Sequence, residues 1–330
     1  MVRIANLKID PPLILAPMTG VTDLPFRRLM RKFGAPLAFM EMANVRSLPY
    51  NTKKSNSIIA SENHDRPLGM QLLGNDEKFI LRGLEIIKKF DLDLIDFNAA
   101  CPVRKVVRRG EGAGLLKEPK KLFKLLKLIK KNTKLPVTLK IRTGWDKDSI
   151  NAIEISKYAQ DAGASAIFIH GRTREQFYNG DVDYKTIKEV KHSVQIPVIA
   201  SGNIFSGALA KKMLDETGCD GLLLARGTLG NPWLFKEIRS FLKKGTLSKP
   251  PSLNLKIKIM YDHLNDMIRF YGEKRGVVLF RKFLGLYLKG NENIRQVRNS
   301  SSALKTKKEL SRLLDSYFPI PKNEKKLIRN

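Results

Sequence analysis
Eight short runs rich in Ile, Val and Leu recur along this chain of 330 residues, with longer amphipathic stretches between them. They are Leu13 to Ala16, Leu37 to Met40, Leu68 to Leu72, Leu94 to Phe97, Val137 to Ile141, Ala166 to Ile169, Val198 to Ala200 and Gly221 to Leu224. Runs that stay apolar instead of alternating with polar residues predict strands covered on both faces, as in a parallel sheet. The intervening segments, such as Lys120 to Lys131, repeat apolar residues at three- and four-residue spacing and predict helices that cover the sheet. Eight such units over about 240 residues match a closed (β/α)8 TIM barrel. An open, doubly wound sheet is the runner-up. It is disfavoured because no GxGxxG follows the first run, and because polar or Gly-bearing residues follow all eight runs rather than one switch point.

The alternation stops at Lys243-Lys244-Gly245-Thr246-Leu247-Ser248-Lys249-Pro250-Pro251, whose composition reads as a linker. From Leu253 onward only helical periods remain. The expected organisation is a barrel over 1–243, a linker over 244–252 and a small all-α domain over 253–330, with a charged, fraying tail from Pro321 to Leu327.

A barrel enzyme carries its site on the residues that follow its strands, so the strand ends can be read directly. Here they are Pro17-Met18-Thr19-Gly20, Gln71, Asn98 with Cys101, Lys140 with Arg142, His170-Gly171-Arg172, Ser201-Gly202-Asn203 and Ala225-Arg226-Gly227. The last two fall where barrels commonly bind phosphate, with small residues that expose backbone N–H groups and a guanidinium beside them. Lys140 ends an apolar strand and points into the barrel mouth, where an amine needs an anionic partner. A reduced flavin suits it, with Gln71 bonding the same ring system. The competing reading of Lys140 is an ion pair with Glu41 or Asp96, and that of Gln71 is an amide satisfying loop backbone. His170 stands at the rim as a phosphate or substrate donor, or as a structural histidine.

Pro102 ends the fourth strand and puts Cys101 at the head of a basic loop, Arg104-Lys105-Val106-Val107-Arg108-Arg109-Gly110. Those cations favour a thiolate, and Gly110, Gly112 and Gly114 suggest a mobile lid. The bland alternative is a buried, inert thiol, which is the reading given to Cys219. Neither cysteine sits in a ligand spacing, and His64, His170, His192 and His263 form no ligand pattern, so no metal is expected.

Lys and Arg number 61 against 32 Asp and Glu, a formal charge of +29, which points to a polyanionic partner over the bland reading of a lysine-rich genome. No apolar run reaches membrane-spanning length and the N-terminus has no signal core, so a cytoplasmic protein with reduced thiols is expected.

Several motifs, in this order, carry a resemblance: Ala16-Pro17-Met18-Thr19-Gly20-Val21-Thr22-Asp23, Asn98 to Pro102 with Val103-Arg104-Lys105, Leu139-Lys140-Ile141-Arg142-Thr143-Gly144-Trp145, Ile169-His170-Gly171-Arg172-Thr173-Arg174, Pro197 to Ile204, and Ala225-Arg226-Gly227 with Asn231-Pro232-Trp233. The chain resembles the tRNA-dihydrouridine synthases, and is most similar to their bacterial B-type branch. The resemblance implies an FMN-binding barrel followed by a helical domain that helps to hold tRNA. It implies FMN contacts at Pro17, Met18, Thr19, Gln71, Lys140, His170, Ser201, Gly202, Asn203, Ala225 and Arg226, a proton donor at Cys101, and Asn98 in the substrate pocket. NADPH is the implied electron donor, tRNA the partner, and a monomer the expected state.

Arg104, Lys105, Arg142 and Arg172 are the further expected substrate contacts. Arg108, Arg174, Lys274, Arg275, Arg281 and Lys282 are candidates to track phosphates. Two departures stand out: Ala100 where the family commonly has Gly before the cysteine, and Asn203 where it often has Asp. The rival readings are a flavin barrel acting on a free pyrimidine and a non-catalytic RNA-binding barrel.

Overall fold
A computed structural model describes residues 1–50, 57–246 and 249–318. It opens with a hairpin that the alternation does not announce, β1 (Val2–Ile4) paired antiparallel with β2 (Leu7–Ile9). Three-residue strands are too short to show a period. Their inner residues Val2, Ile4 and Ile9 are nevertheless buried against Leu37, Phe39, Leu94 and Phe168 and plug the N-terminal end of the barrel. Complete burial of a side chain such as Ile4 or Ile9 contributes about 1.5–3 kcal/mol.

All eight expected runs are strands: β3 (Leu13–Leu15), β4 (Leu37–Phe39), β6 (Leu68–Leu73), β7 (Leu94–Ala99), β8 (Val137–Arg142), β9 (Ala166–His170), β10 (Val198–Ser201) and β11 (Gly221–Leu224). Every neighbouring pair is parallel and β11 pairs back onto β3, which closes the barrel. A two-residue strand, β5 (Ala43–Asn44), adds to β6 at the rim.

Alternation along each strand sorts the walls. Ile95, Phe97, Leu139, Ile141, Ile167 and Ile169 point outward into the core shared with the helices. The register sets Gln71 beside Asp96, Asp96 beside Thr138 and Asn98 beside Lys140, so these inward residues form polar layers above an apolar base. In that base Phe39 meets Phe168 edge-on at 5.6 Å. Gly69 is required there because a β-carbon would collide with the Phe39 ring.

Helices follow the strands as the apolar spacing predicts. Asp23 caps the first, Leu24–Lys32, by accepting the Phe26 N–H at 3.0 Å. After β11 come Leu234–Lys244, Leu253–Tyr271, Glu273–Tyr287, Ile294–Ser301 and Lys307–Tyr317. Phe26 of the first helix stacks on Phe283 at 5.8 Å, so the apolar core runs unbroken from the barrel wall into these helices. Tyr271 donates to Asp23 at 3.0 Å, and Lys282 donates to the Gly20 carbonyl. Of the expected linker, Leu247 and Ser248 lie outside the described residues, as do 319–330 with the tail from Pro321 to Leu327. Among the described residues, no helix is long and apolar enough to cross a membrane.

Candidate active site
The eight strand ends enclose a cavity of about 330 Å³ at the C-terminal mouth of the barrel, and every barrel strand or the loop after it contributes to its lining. All eleven residues expected to hold a cofactor line it: Pro17, Met18, Thr19, Gln71, Lys140, His170, Ser201, Gly202, Asn203, Ala225 and Arg226. Cys101, Asn98 and Arg142 line it as well.

Its floor is a hydrogen-bonded layer. Asp96 is fully buried and accepts from Gln71 Nε2 at 2.6 Å and Thr138 Oγ1 at 2.7 Å, while Gln71 Oε1 accepts from Asn98 Nδ2 at 2.6 Å. Lys140 stands over this layer with no carboxylate oxygen of the described residues within 4 Å. Burial lowers its ammonium pKa and raises that of the Asp96 carboxyl, and each charge partly offsets the penalty on the other. Asp96 is therefore the acid that influences Lys140, at longer range than an ion pair. Glu41 accepts the Gly20 N–H at 2.5 Å instead.

His170 is held neutral, chiefly by burial and then by the field of Arg142 and Lys140. Ser201 donates its hydroxyl to the Ile169 carbonyl at 3.2 Å, so it accepts from His170 Nδ1 at 3.3 Å. That assignment leaves Nε2 a bare acceptor, buried and without a protein partner. Beside it, Gly202 adopts φ +139 and Asn203 φ +49, and a β-carbon on Gly202 would press on Val182 at 2.9 Å. Arg226 donates to Asn203 Oδ1 at 3.4 Å and lies 4.4 Å from the Tyr178 ring.

Asn98 Oδ1 accepts the N–H groups of both Ala100 and Cys101, at 2.9 and 2.8 Å. Arg142 Nε bonds the Ala100 carbonyl at 2.8 Å from the other side. Ala100 keeps a negative φ, so the β-carbon that distinguishes it from glycine meets no backbone penalty. Burial raises the Cys101 pKa, outweighing the Val103 N–H and Arg142 that pull it down. The cations therefore do not make a thiolate here, and the group is a protonated thiol at neutral pH.

The family of dihydrouridine synthases is described by a sequence model that matches residues 14–322. The chain belongs to that family. Within it, the chain falls in the B-type branch. It is 37% identical to the tRNA-dihydrouridine synthase B of Pasteurella multocida over 96% of its own length and 95% of that protein. It is 38% identical to a probable tRNA-dihydrouridine synthase of Rickettsia conorii over 91% of both. Morphinone reductase has the same fold, with a TM-score of 0.54 at 14% identity, covering 76% of this chain and 90% of that one. This synthase is thus an oxidoreductase acting on CH–CH bonds.

Not every expected contact of the synthase reaches the cavity. Arg104 and Lys105 lie on the outer face of a one-turn helix, Arg104–Val107, exposed beside Val103 at the cavity mouth. Arg172 does not line the cavity: it is 1% exposed and bonds the carbonyls of Asn179 and Gly180, which braces its own loop, while its Nη1 is buried with no hydrogen-bond partner among the described residues. Arg142 shares that work, bonding the carbonyls of Thr173 and Phe177 at 2.7 Å each. Arg281 bonds the carbonyls of Ser302 and Leu304, and Lys282 that of Gly20, so both also brace the fold.

The glycines that suggested a mobile lid instead permit close packing. A β-carbon on Gly112 would lie 2.8 Å from the Cys101 carbonyl. Glu111 beside it is wholly buried and bonds Arg109 at 2.8 Å and Asn44 at 3.1 Å.

Sequence reasoning missed Tyr178, Met42, Phe205 and Val103, all of which line the cavity. Tyr178 had a signal: the pair Phe177-Tyr178 shortly before Gly180, in the loop that follows β9. Phe177 adopts φ +53, unusual for a bulky residue, while its carbonyl is held by Arg142.

Proposed function
We propose that this synthase reduces the C5=C6 bond of uridines in tRNA, with FMN bound in the cavity and NADPH as electron donor. The observation that carries the reading is the convergence of all eleven expected FMN contacts on one cavity, together with two groups that line it. These are the Lys140 amine, which makes no ion pair among the described residues, and the buried Nε2 of His170, which has no hydrogen-bond partner among them. A cationic amine suits the electron-rich pyrimidine edge of a flavin. A bare imidazole nitrogen suits a hydroxyl, and the turns at 201–203 and 225–227 with Arg226 suit a phosphate.

When bound, FMN would supply the hydride for C6 of the uracil. The chain's own residues supply the rest. The Cys101 thiol, kept protonated by burial, delivers the proton to C5 as general acid. Asn98 and Arg142 hold its backbone from either side. Lys140 supplies positive charge beside the group that gains electrons, and burial has left its charge readily tuned. The target base must leave its stack to reach this depth, which unpaired tRNA loops make less costly. Arg104 and Lys105, exposed at the mouth, meet the backbone of that RNA. Residues 1–243 form the catalytic unit, and the helices between 253 and 318 help to hold tRNA. The protein works as a cytoplasmic monomer.

Incubating unmodified tRNA transcripts with the protein, FMN and NADPH tests this by counting dihydrouridine. Cys101→Ala is expected to lower the single-turnover rate by about 10²–10⁴-fold while leaving flavin binding intact. Turnover of free uridine but not tRNA, or a protein that retains no yellow flavin, would overturn the reading.

A further inference from the structure
Gln71 and Asn98 line the cavity, but the residue that decides which way their amides face lies beneath it. Asp96 is 0% exposed, is no part of the cavity lining, and has both oxygens engaged, by Gln71 Nε2 at 2.6 Å and Thr138 Oγ1 at 2.7 Å. Burial raises the Asp96 pKa to about 7, and above that pH the group is a carboxylate that only accepts, so Gln71 turns its NH₂ downward and its oxygen toward Asn98, the arrangement seen here. Asn98 must then offer Nδ2 to Gln71 at 2.6 Å and present Oδ1 to the chain beyond. There it gathers the N–H groups of Ala100 at 2.9 Å and Cys101 at 2.8 Å. Reversing either amide sets donor against donor or acceptor against acceptor in a buried layer, where unsatisfied groups are costly.

We propose that Asp96 is a positioning residue that fixes the backbone of Ala100 and Cys101 through the Gln71 and Asn98 amides, and thereby aims the Cys101 thiol into the cavity. It touches neither substrate nor cofactor in this role. The inference rests on Cys101 as the acting group, but its geometric claim holds whichever cofactor the cavity takes.

The competing role for Asp96 is simply that of a counter-charge to Lys140, and substitutions separate the two. Asn at position 96 has no charge but can preserve the relay. Its oxygen can accept from Gln71 while its NH₂ donates to Thr138, whose hydroxyl turns to the Ile95 carbonyl, 3.5 Å away. Leu at position 96 removes both charge and relay.

The test is the alkylation rate of Cys101 by iodoacetamide in the full-length Cys219→Ala protein, followed between about pH 7 and 11 so that the raised thiol titration is spanned. It is read with and without FMN, alongside kcat and KM for tRNA. Asp96→Leu is expected to speed alkylation by roughly tenfold or more, shift its pH midpoint and lower kcat with little change in KM, whereas Asp96→Asn stays within about threefold of wild type. Gln71→Met breaks the relay in its middle without touching Asp96, so it carries the test if Asp96→Leu does not fold, and it is expected to match the Leu pattern. Asp96→Asn as disruptive as Asp96→Leu, or Gln71→Met with a wild-type alkylation profile, would overturn the proposal. Because alkylation needs no turnover, these outcomes stand apart from failure of the reductase reading itself.

Discussion

Tyr178 shows how a single side chain acquires a role that its sequence neighbourhood barely hints at. It is 47% exposed, yet the Arg226 guanidinium lies 4.4 Å from its ring centroid and that of Arg142 5.6 Å. Such contacts contribute about 0.5–2 kcal/mol each, so the ring steadies both arginines at the mouth. Tyr178→Leu is therefore expected to weaken FMN binding by about five- to thirtyfold, while Tyr178→Phe stays within about twofold. Fluorescence titration of FMN measures this, and equal affinities for all three proteins would show the ring to be idle. Gln71, Lys140, His170 and Ser201 were legible because each lies in the last three residues of a strand, where the alternation of a barrel strand leaves a residue two choices, core or mouth. Tyr178 was not, because its place depends on how two buried arginines gather the carbonyls of Thr173, Phe177, Asn179 and Gly180. The burial of Arg172 was hidden for the same reason: a cation in a loop is expected to face a ligand until the carbonyls around it are seen.

The segment from Cys101 to Lys117 is the element that carries the proposed proton donor. Its short helix Arg104–Val107 and its 3₁₀ turns at Gly112–Lys117 are anchored by the Ala113 N–H on the Cys101 carbonyl at 3.0 Å, and by buried Glu111. Gly112 combines φ +57 with a site in which a β-carbon would overlap the Cys101 backbone. Gly112→Ala is expected to destabilise the protein by about 1–3 kcal/mol and to depress activity further than that loss explains, because the strain falls on the backbone of Cys101, the proposed proton donor. Urea unfolding with activity measured well below the midpoint checks this; wild-type turnover in the folded variant would count against it. The glycine pattern was visible in the sequence, but its meaning was not. A glycine that allows hinging and one that allows contact look alike until the neighbouring backbone is placed. Strand positions, by contrast, followed from apolar runs alone, and only β1, β2 and β5, of two or three residues each, escaped that reading.

For the whole molecule, charge and burial make separate predictions. With a formal charge of +29, tRNA affinity is expected to fall steeply with salt, log Kd rising linearly with log salt concentration, and a flat dependence would remove the electrostatic argument. His263 sits fully buried between the barrel and the C-terminal helices, 4.7 Å from Phe283, with Nδ1 3.1 Å from the Tyr287 hydroxyl, and burial pushes its pKa down from 6.5 to about 3. The unfolded chain takes up this proton near 6.5 and the folded chain does not, so acid favours unfolding. Stability is lost as pH falls below 6.5, by up to about 1.4 kcal/mol per pH unit from this group. His263→Leu is expected to flatten that part of the slope in chemical denaturation; an unchanged slope would mean that the ring is charged in the folded protein. The same junction bears on how such proteins recombine. Tyr271 and Lys282 grip the turn between Gly20 and Asp23, and Met18, at the head of that turn, lines the cavity. The helices and the first barrel loop are therefore one heritable module, and a chimaera that takes its helices from a relative must take residues 18–23 and Glu41 from that relative as well.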